Sequence, residues 1–281
     1  MIGQEKLRKT LSDQVASGKL PKFVLLVGTK GSGRKTLAQW LTQQLAAVYP
    51  DLISYVLEDV KVDTVRSMVS DVYKSSEYMV CVVPDIDTMA VAAKNVLLKV
   101  TEEPPKNVYF VMTLENEGAT MDTILSRASV FHMDYYTPEE LTDFYFSAGG
   151  NDTDIKVLKE ICTTPGEIAS MMAMEGSVQD FYEYVEKVVR NIDVVSGSNS
   201  FKIAEKLAVK GDGGYDLRVF WRAFISSCFQ KIEKCPFKYV AGINITTKYL
   251  QELQNPSINK QMCFDNWLLD IRQEWFEYAE D

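Results

Sequence analysis

Hydrophobic positions in the first 135 residues follow two alternating periods. Apolar residues at helical spacing, such as Leu7, Leu11 and Val15, alternate with short runs that are apolar almost throughout. Such runs predict strands covered on both faces, and the helical spacing predicts helices packed on one side. The alternation indicates an α/β fold with a parallel sheet. The predicted strands are residues 23–28, 53–57, 78–83, 108–113 and 129–133, and the predicted helices include 62–73 and 91–100.

The strand pattern ends near residue 137, and only helical spacing follows. The polar segment SGSNS, residues 196–200, is the best candidate for a linker. We therefore predict an α/β domain over 1–136, a small helical domain over 137–195 and a second helical domain over 196–281. Helix breaks are expected at 149–150, 165–166, 211–214, 235–236 and 255–256.

Composition and charge narrow the class of protein. Of the 281 residues, 46% are hydrophobic and 25% are charged, which is typical of a soluble globular protein. No stretch approaches the roughly 20 apolar residues of a membrane span, and the first residues have no apolar signal core, so we expect a cytoplasmic protein. The net charge of −9 argues against a chain that grips DNA by itself.

The cysteines and the single histidine do not suggest a metal site. The five cysteines are scattered, no pair has CxxC spacing, and the only histidine is His132. A structural zinc site is therefore not expected. We predict buried free thiols in a reducing compartment, and a core or edge-strand position for His132.

A phosphate-binding loop is indicated at residues 28–36, GTKGSGRKT, between a strand and a helix. Gly28, Gly31 and Gly33 have the spacing of GxxGxGK[ST], a loop whose backbone N–H groups cradle phosphates. Arg34, however, stands where the lysine belongs, and Lys35 stands where a hydroxyl would ligate Mg²⁺. Arginine keeps the positive charge, but its planar guanidinium differs in shape from the compact ammonium of lysine. Lys35 would repel the metal ion.

Two interpretations of this loop remain open. A slip of one residue would bring Lys35 and Thr36 into the working positions, at the cost of an extra residue in a tight turn. Otherwise the glycines persist because the turn and the close packing of helix on sheet need them.

The strand end VVPDIDTM shows a second defect. ATPases of this class usually place Asp-Glu there, for Mg²⁺ and for the attacking water, whereas here Pro84 and Asp85 occupy the two positions. If Asp85 is instead the metal ligand, Ile86 takes the catalytic position. Either alignment predicts no useful hydrolysis and no bound cofactor, since Mg²⁺ neutralises much of the charge in phosphoryl transfer.

Residues 92–113, AAKNVLLKVTEEPPKNVYFVMT, and 123–129, TILSRAS, resemble the clamp-loader AAA+ subunits of bacterial-type DNA polymerase III. Four other segments resemble segments of the same family and occur in the same order along the chain: IGQEKLRKTL, KLPKFVLLVG, VDTVRSM and the C-terminal INKQMCFDNWLLDI. The resemblance implies an AAA+ domain, a helical lid and a helical collar that joins subunits into a hetero-oligomeric ring.

Within this family, the damaged loop and strand end resemble the delta-prime type rather than the ATP-hydrolysing motor subunits. Motor subunits sense the γ-phosphate with an arginine three residues after a glycine, and Gly166 is here followed at that position by Ala169. The family's four-cysteine zinc module is absent, and Ala128 replaces the cysteine of an SRC segment. These departures are consistent with a divergent or phage-encoded member.

The resemblance implies a role for Arg127 as an arginine finger that acts in trans on a neighbour's ATP. It also places Thr113 at the γ-phosphate-sensing position. From the residues alone, Arg127 could equally cap the short helix before the last strand or pair with Asp122.

The leading hypothesis is a non-hydrolysing subunit that helps load a sliding clamp on primed DNA, which it contacts through the assembled complex. One alternative is an active motor subunit that uses Lys35, Thr36 and Asp85. Another is an AAA+-derived scaffold without a clamp partner.

Overall fold

Five parallel strands form a single sheet in the computed structural model, which describes residues 2–174, 176–192, 203, 207, 215–255, 258–276 and 278. The strand order is β2-β3-β4-β1-β5, and every pairing is parallel, as predicted. The inner strands β1, β3 and β4 are buried along their whole length, whereas the edge strands are partly exposed. The strands are β1 Phe23–Val27, β2 Ile53–Val56, β3 Met79–Val83, β4 Val108–Leu114 and β5 Ser129–His132.

Helices cover both faces of the sheet, which explains why its inner strands are apolar throughout. Successive residues of a strand point to opposite faces, so Leu25 packs in one apolar cluster with α3 and α4, and Leu26 packs in another with α1 and α2. The helices of this part are α1 Glu5–Ala16, α2 Arg34–Val48, α3 Val62–Lys74, α4 Val91–Glu102 and the single turn α5 Asp122–Leu125.

The chain divides into two compact units, Met1–Tyr135 and Tyr136–Asp281. The described elements of the second unit share one apolar core, in which Trp221, Trp267 and Trp275 are fully buried. Its helices are α6 Pro138–Ser147, α7 Ile155–Ile161, α8 Pro165–Met172, α9 Val178–Asn191, α10 Leu217–Lys231, α11 Pro236–Glu252 and α12 Lys260–Phe276.

Two of the expected helix breaks coincide with helix starts. Pro165 and Pro236 each occupy the first turn of a helix, where a proline lacks only an N–H that has no partner within the helix. The predicted linker 196–200 and the predicted break at 211–214 lie outside the described residues. The division of the helical region at residue 195 stays a prediction.

The cysteines are free, as expected: Cys81, Cys162, Cys228 and Cys263 are buried, and Cys235 is partly exposed. Burial raises the pKa of Cys81 to about 12, so this thiol stays protonated at neutral pH. Within the described residues, no three His, Cys, Asp or Glu side chains are grouped in a way that could hold a metal ion. None of the described helices combines the length and apolarity needed to cross a bilayer.

Candidate functional site

The loop after β1 turns through two glycines with left-handed backbone conformation. Gly31 and Gly33 have φ angles of 83° and 87°, in the left-handed region that glycine enters without strain. Gly33 caps α2, so Arg34 is the first residue of the helix and Lys35 is the second. Thr36 follows as an exposed residue of the first turn.

Gly28 is required by close packing at the start of the loop. A Cβ atom at this position would lie 2.7 Å from Ser32 Oγ and 3.2 Å from Met133 Sδ. Ser32 is buried, and its Oγ lies 3.5 Å from Met133 Sδ, which follows the end of β5. The loop is therefore packed against the neighbouring strand end, a contact that the sequence did not reveal.

Three charged side chains meet where the loop faces the end of β3. Arg34 Nη2 lies 3.2 Å from Asp85 Oδ1, and Lys35 Nζ lies 2.8 Å from Asp85 Oδ2. The side chain of Arg34 is 10% exposed, that of Asp85 28% and that of Lys35 64%. One carboxylate thus pairs with two cations of the loop, Arg34 and Lys35.

The backbone of Asp85 is held by the end of β4. Its φ angle is 47°, an uncommon value for a residue other than glycine, although aspartate tolerates it better than most. Its N–H donates to Oγ1 of the fully buried Thr113, at 3.0 Å. Thr113, at the position that the family resemblance implies for γ-phosphate sensing, therefore uses its hydroxyl to anchor this turn.

A buried polar network supports the turn that follows. The carboxylate of Asp87 accepts a hydrogen bond from the Glu115 N–H at 3.1 Å, and Asp87 itself is buried. The buried Lys94 donates to the carbonyl oxygens of Asp87 and Ala119. Neither residue could be identified from the sequence, because only the fold brings Lys94 of α4 and the Glu115 N–H after β4 into contact with Asp87.

Arg127 lies in the turn between α5 and β5, where its side chain is 34% exposed. Its Nη1 donates to the Thr123 carbonyl at 2.8 Å, which caps the short helix, and its Nη2 donates to Glu102 Oε1 at 3.2 Å. The ion pair is with Glu102, at the end of α4, rather than with Asp122. Glu102 is 58% exposed. Its place in the EEPP segment is the feature of the sequence that could have pointed to this residue.

The remaining predicted positions are placed as follows. His132 is on the edge strand β5, where its ring pairs with the carboxylate of Glu117. Gly166 and Ala169 are both on α8, and Ala169 is exposed. The structure thus brings Arg34, Lys35, Asp85 and Thr113 together, and places Arg127 in a separate contact with Glu102.

Comparison with known proteins gives matches to DNA polymerase III subunits. A family described as "DNA polymerase III, delta subunit" matches residues 48–137. DNA polymerase III subunit gamma of Buchnera aphidicola (subsp. Schizaphis graminum) is 24% identical over 189 residues, which cover 57% of this chain and 52% of the relative. DNA polymerase III subunit delta' of Haemophilus influenzae is 26% identical over 191 residues, 66% of this chain and 57% of the relative. The chain thus spans about half the length of these relatives.

Among solved structures, a point mutant of the RuvB Holliday junction branch migration motor of Thermotoga maritima superposes with a TM-score of 0.51 at 17% identity. The match covers 96% of this chain and 88% of that one. At this identity the match supports the fold alone. In sequence the chain is thus similar, at low identity, to the gamma and delta' subunits of DNA polymerase III, and over residues 48–137 it matches the delta-subunit family.

Proposed function

We propose that the chain is a non-hydrolysing, delta-prime-like subunit of a DNA polymerase clamp-loader complex. In this role it helps to load the sliding clamp on primed DNA. The matches to gamma and delta' subunits support membership of such a complex. The residues Arg34 and Lys35, which stand in the loop in place of a lysine and a hydroxyl residue, support the non-hydrolysing role.

The observation that carries the proposal is the pairing of Asp85 with both Arg34 and Lys35. A carboxylate that neutralises two cations of its own chain is a poor ligand for Mg²⁺. Pro84, the preceding residue, has no side-chain oxygen, and Lys35 stands where the loop needs a hydroxyl. Without metal, the charge of a transferring phosphoryl group is not neutralised.

The register of the helix supports the same interpretation. α2 begins at Arg34, directly after Gly33, which supports the alignment of Arg34 with the phosphate-contacting lysine. The slipped register would need Lys35 at the helix start. The glycines that remain in the loop are explained by the left-handed turn and by the packing of Gly28 on Ser32.

The proposed partners follow from the same relationship. The chain would join a hetero-oligomeric ring in the cytoplasm through its last helices, and would reach the clamp and the primed DNA through the assembled complex. It would supply Arg127 in trans to the ATP of a neighbouring subunit. No cofactor of its own is needed for this role.

The test is a calorimetric titration of the purified chain with a non-hydrolysable ATP analogue and Mg²⁺, with ATP turnover assayed in parallel. We expect no Mg²⁺-dependent binding and no turnover. Turnover that depends on Mg²⁺ and is abolished by Lys35→Ala, but not by Lys30→Ala, would contradict the proposal. It would identify an active motor subunit that uses the slipped loop.

A further inference from the structure

We infer that Asp85 is an internal counter-anion that prevents the loop of residues 28–36 from binding polyphosphate. Without this carboxylate, the loop would bind a chain of phosphates and would do so without a metal ion. The inference concerns the isolated chain, so it does not depend on the proposed role in a clamp loader.

The guanidinium of Arg34 has unused capacity to bind an anion. Arg34 is about nine-tenths buried, and within the described part of the chain its Nη1 atom has no hydrogen-bond partner. A buried donor without an acceptor is costly, and a guanidinium is shaped to grip phosphate oxygens with two nitrogens at once. Asp85 therefore leaves part of the binding capacity of Arg34 unsatisfied.

The Asp85 carboxylate satisfies the cations of the loop less completely than a phosphate group would. Its Oδ1 atom lies 3.2 Å from Arg34 Nη2, but it is buried and has no hydrogen bond of proper geometry among the described residues. Its Oδ2 atom reaches Lys35 Nζ, on a side chain that is mostly exposed. The carboxylate neutralises charge without completing the hydrogen bonds that a phosphate group could accept.

The turn is held in the conformation that makes this contact. Asp85 keeps a left-handed φ of 47°, and its N–H is fixed to the buried Thr113 hydroxyl. Strained backbone of this kind persists only where the surroundings impose it. The carboxylate is therefore a fixed part of the site rather than a mobile surface charge.

Removal of the carboxylate would leave two adjacent cations at the N-terminus of a fifteen-residue helix. Helix N-termini and loop N–H groups attract anions, and charge-assisted bonds to phosphate are stronger than neutral ones. The ligand class is a polyphosphate group, either free or as part of a nucleotide. Metal is not required, because the cations belong to the protein.

The experiment is a calorimetric titration of the full chain with tripolyphosphate in EDTA at low ionic strength. We compare the wild type with Asp85→Asn, which keeps the size of the side chain and tolerates a positive φ. Asp63→Asn is the matched control, since Asp63 is almost fully exposed on α3 and its loss changes the net charge equally. We expect roughly tenfold tighter binding by D85N than by the wild type or D63N. The double variant R34Q/D85N should lose this gain.

Separate arms with ATP and with adenosine distinguish free from nucleotide phosphate. A similar gain for ATP and tripolyphosphate, with none for adenosine, supports a site for phosphates alone. Equal binding by D85N and D63N would overturn the inference, as would tight binding by the wild type. A gain seen only with ATP and Mg²⁺ would also overturn it. If D85N fails to fold, as judged by circular dichroism, Asp85→Gly removes the carboxylate and relieves the backbone strain.

Discussion

At the scale of single residues, the contacts of Arg127 show which interaction it would have to break to act as an arginine finger in trans. In the isolated chain this side chain donates to the Thr123 carbonyl and to Glu102. To reach an ATP on a neighbouring subunit, the guanidinium must leave the Glu102 carboxylate. An exposed ion pair contributes only about 0–1 kcal/mol, so the cost of this release is small.

We expect Arg127→Ala to leave assembly intact and to slow ATP hydrolysis by a reconstituted complex, on the order of 10³-fold if the finger resembles those of GTPases. Glu102→Gln should instead raise the rate about two- to fivefold, because Arg127 is released more easily. The measurement is steady-state ATP turnover with clamp and primed DNA present.

The matched controls are Arg66→Ala and Glu103→Gln. Arg66 is an exposed arginine on α3 in a similar ion pair, and Glu103 is the exposed neighbour of Glu102. Neither variant should change the rate. An unchanged rate for R127A would exclude the finger, and a rate lowered by E102Q would mean that Glu102 positions the arginine rather than restraining it.

At the scale of elements, α11 and α12 pack closely because Gly242 leaves room for Trp275. A Cβ atom at Gly242 would lie 2.8 Å from Trp275 Cζ2, and the indole is fully buried. The glycine weakens α11 by up to about 1 kcal/mol relative to alanine. The packing of the indole therefore outweighs helix propensity at this position.

We expect Gly242→Ala to lower the free energy of unfolding by about 1 kcal/mol. The cost of overpacking, about 1–3 kcal/mol, exceeds the gain in helix propensity. The urea midpoint of the transition measures this effect. Asn244→Ala, at an exposed position of the same helix, should instead raise the midpoint slightly. A G242A chain more stable than the wild type would show that Trp275 can move away without cost.

At the scale of the whole molecule, the net negative charge disfavours direct DNA binding by the isolated chain and favours contact with DNA through an assembled complex. A net charge of −9 gives long-range repulsion from the phosphate backbone, so an isolated chain gains little from release of counterions. Subunits with basic surfaces would have to supply that attraction. The proposed role thus depends on assembly with other chains.

We expect the isolated chain to leave the fluorescence anisotropy of labelled primed DNA unchanged, and the reconstituted complex to raise it. Size-exclusion chromatography of the same samples checks that the chain has joined the complex. Bovine serum albumin, another acidic protein, serves as the control for nonspecific effects. Tight, salt-dependent binding by the isolated chain would contradict this expectation. A chain that joins no complex would favour the stand-alone scaffold.

The amino-acid sequence by itself determined the parallel sheet, the helices and the glycine turn after β1. These features follow from local rules: apolar runs of strand length, three-to-four-residue spacing, and glycines at 28, 31 and 33. The departures from the motif at Arg34, Lys35 and Pro84 could be predicted for the same reason, since each is a residue type at a known position in a motif.

Only the tertiary structure decided which side chains meet. Asp85 is far along the chain from Lys35, and Glu102 is 25 residues from Arg127, so neither ion pair follows from local periodicity. The parallel order β3-β4-β1 brings the ends of these strands to one edge of the sheet, where Thr113 fixes the Asp85 turn. Long-range pairing of this kind arises because burial of apolar strands determines where the polar residues at their ends must lie.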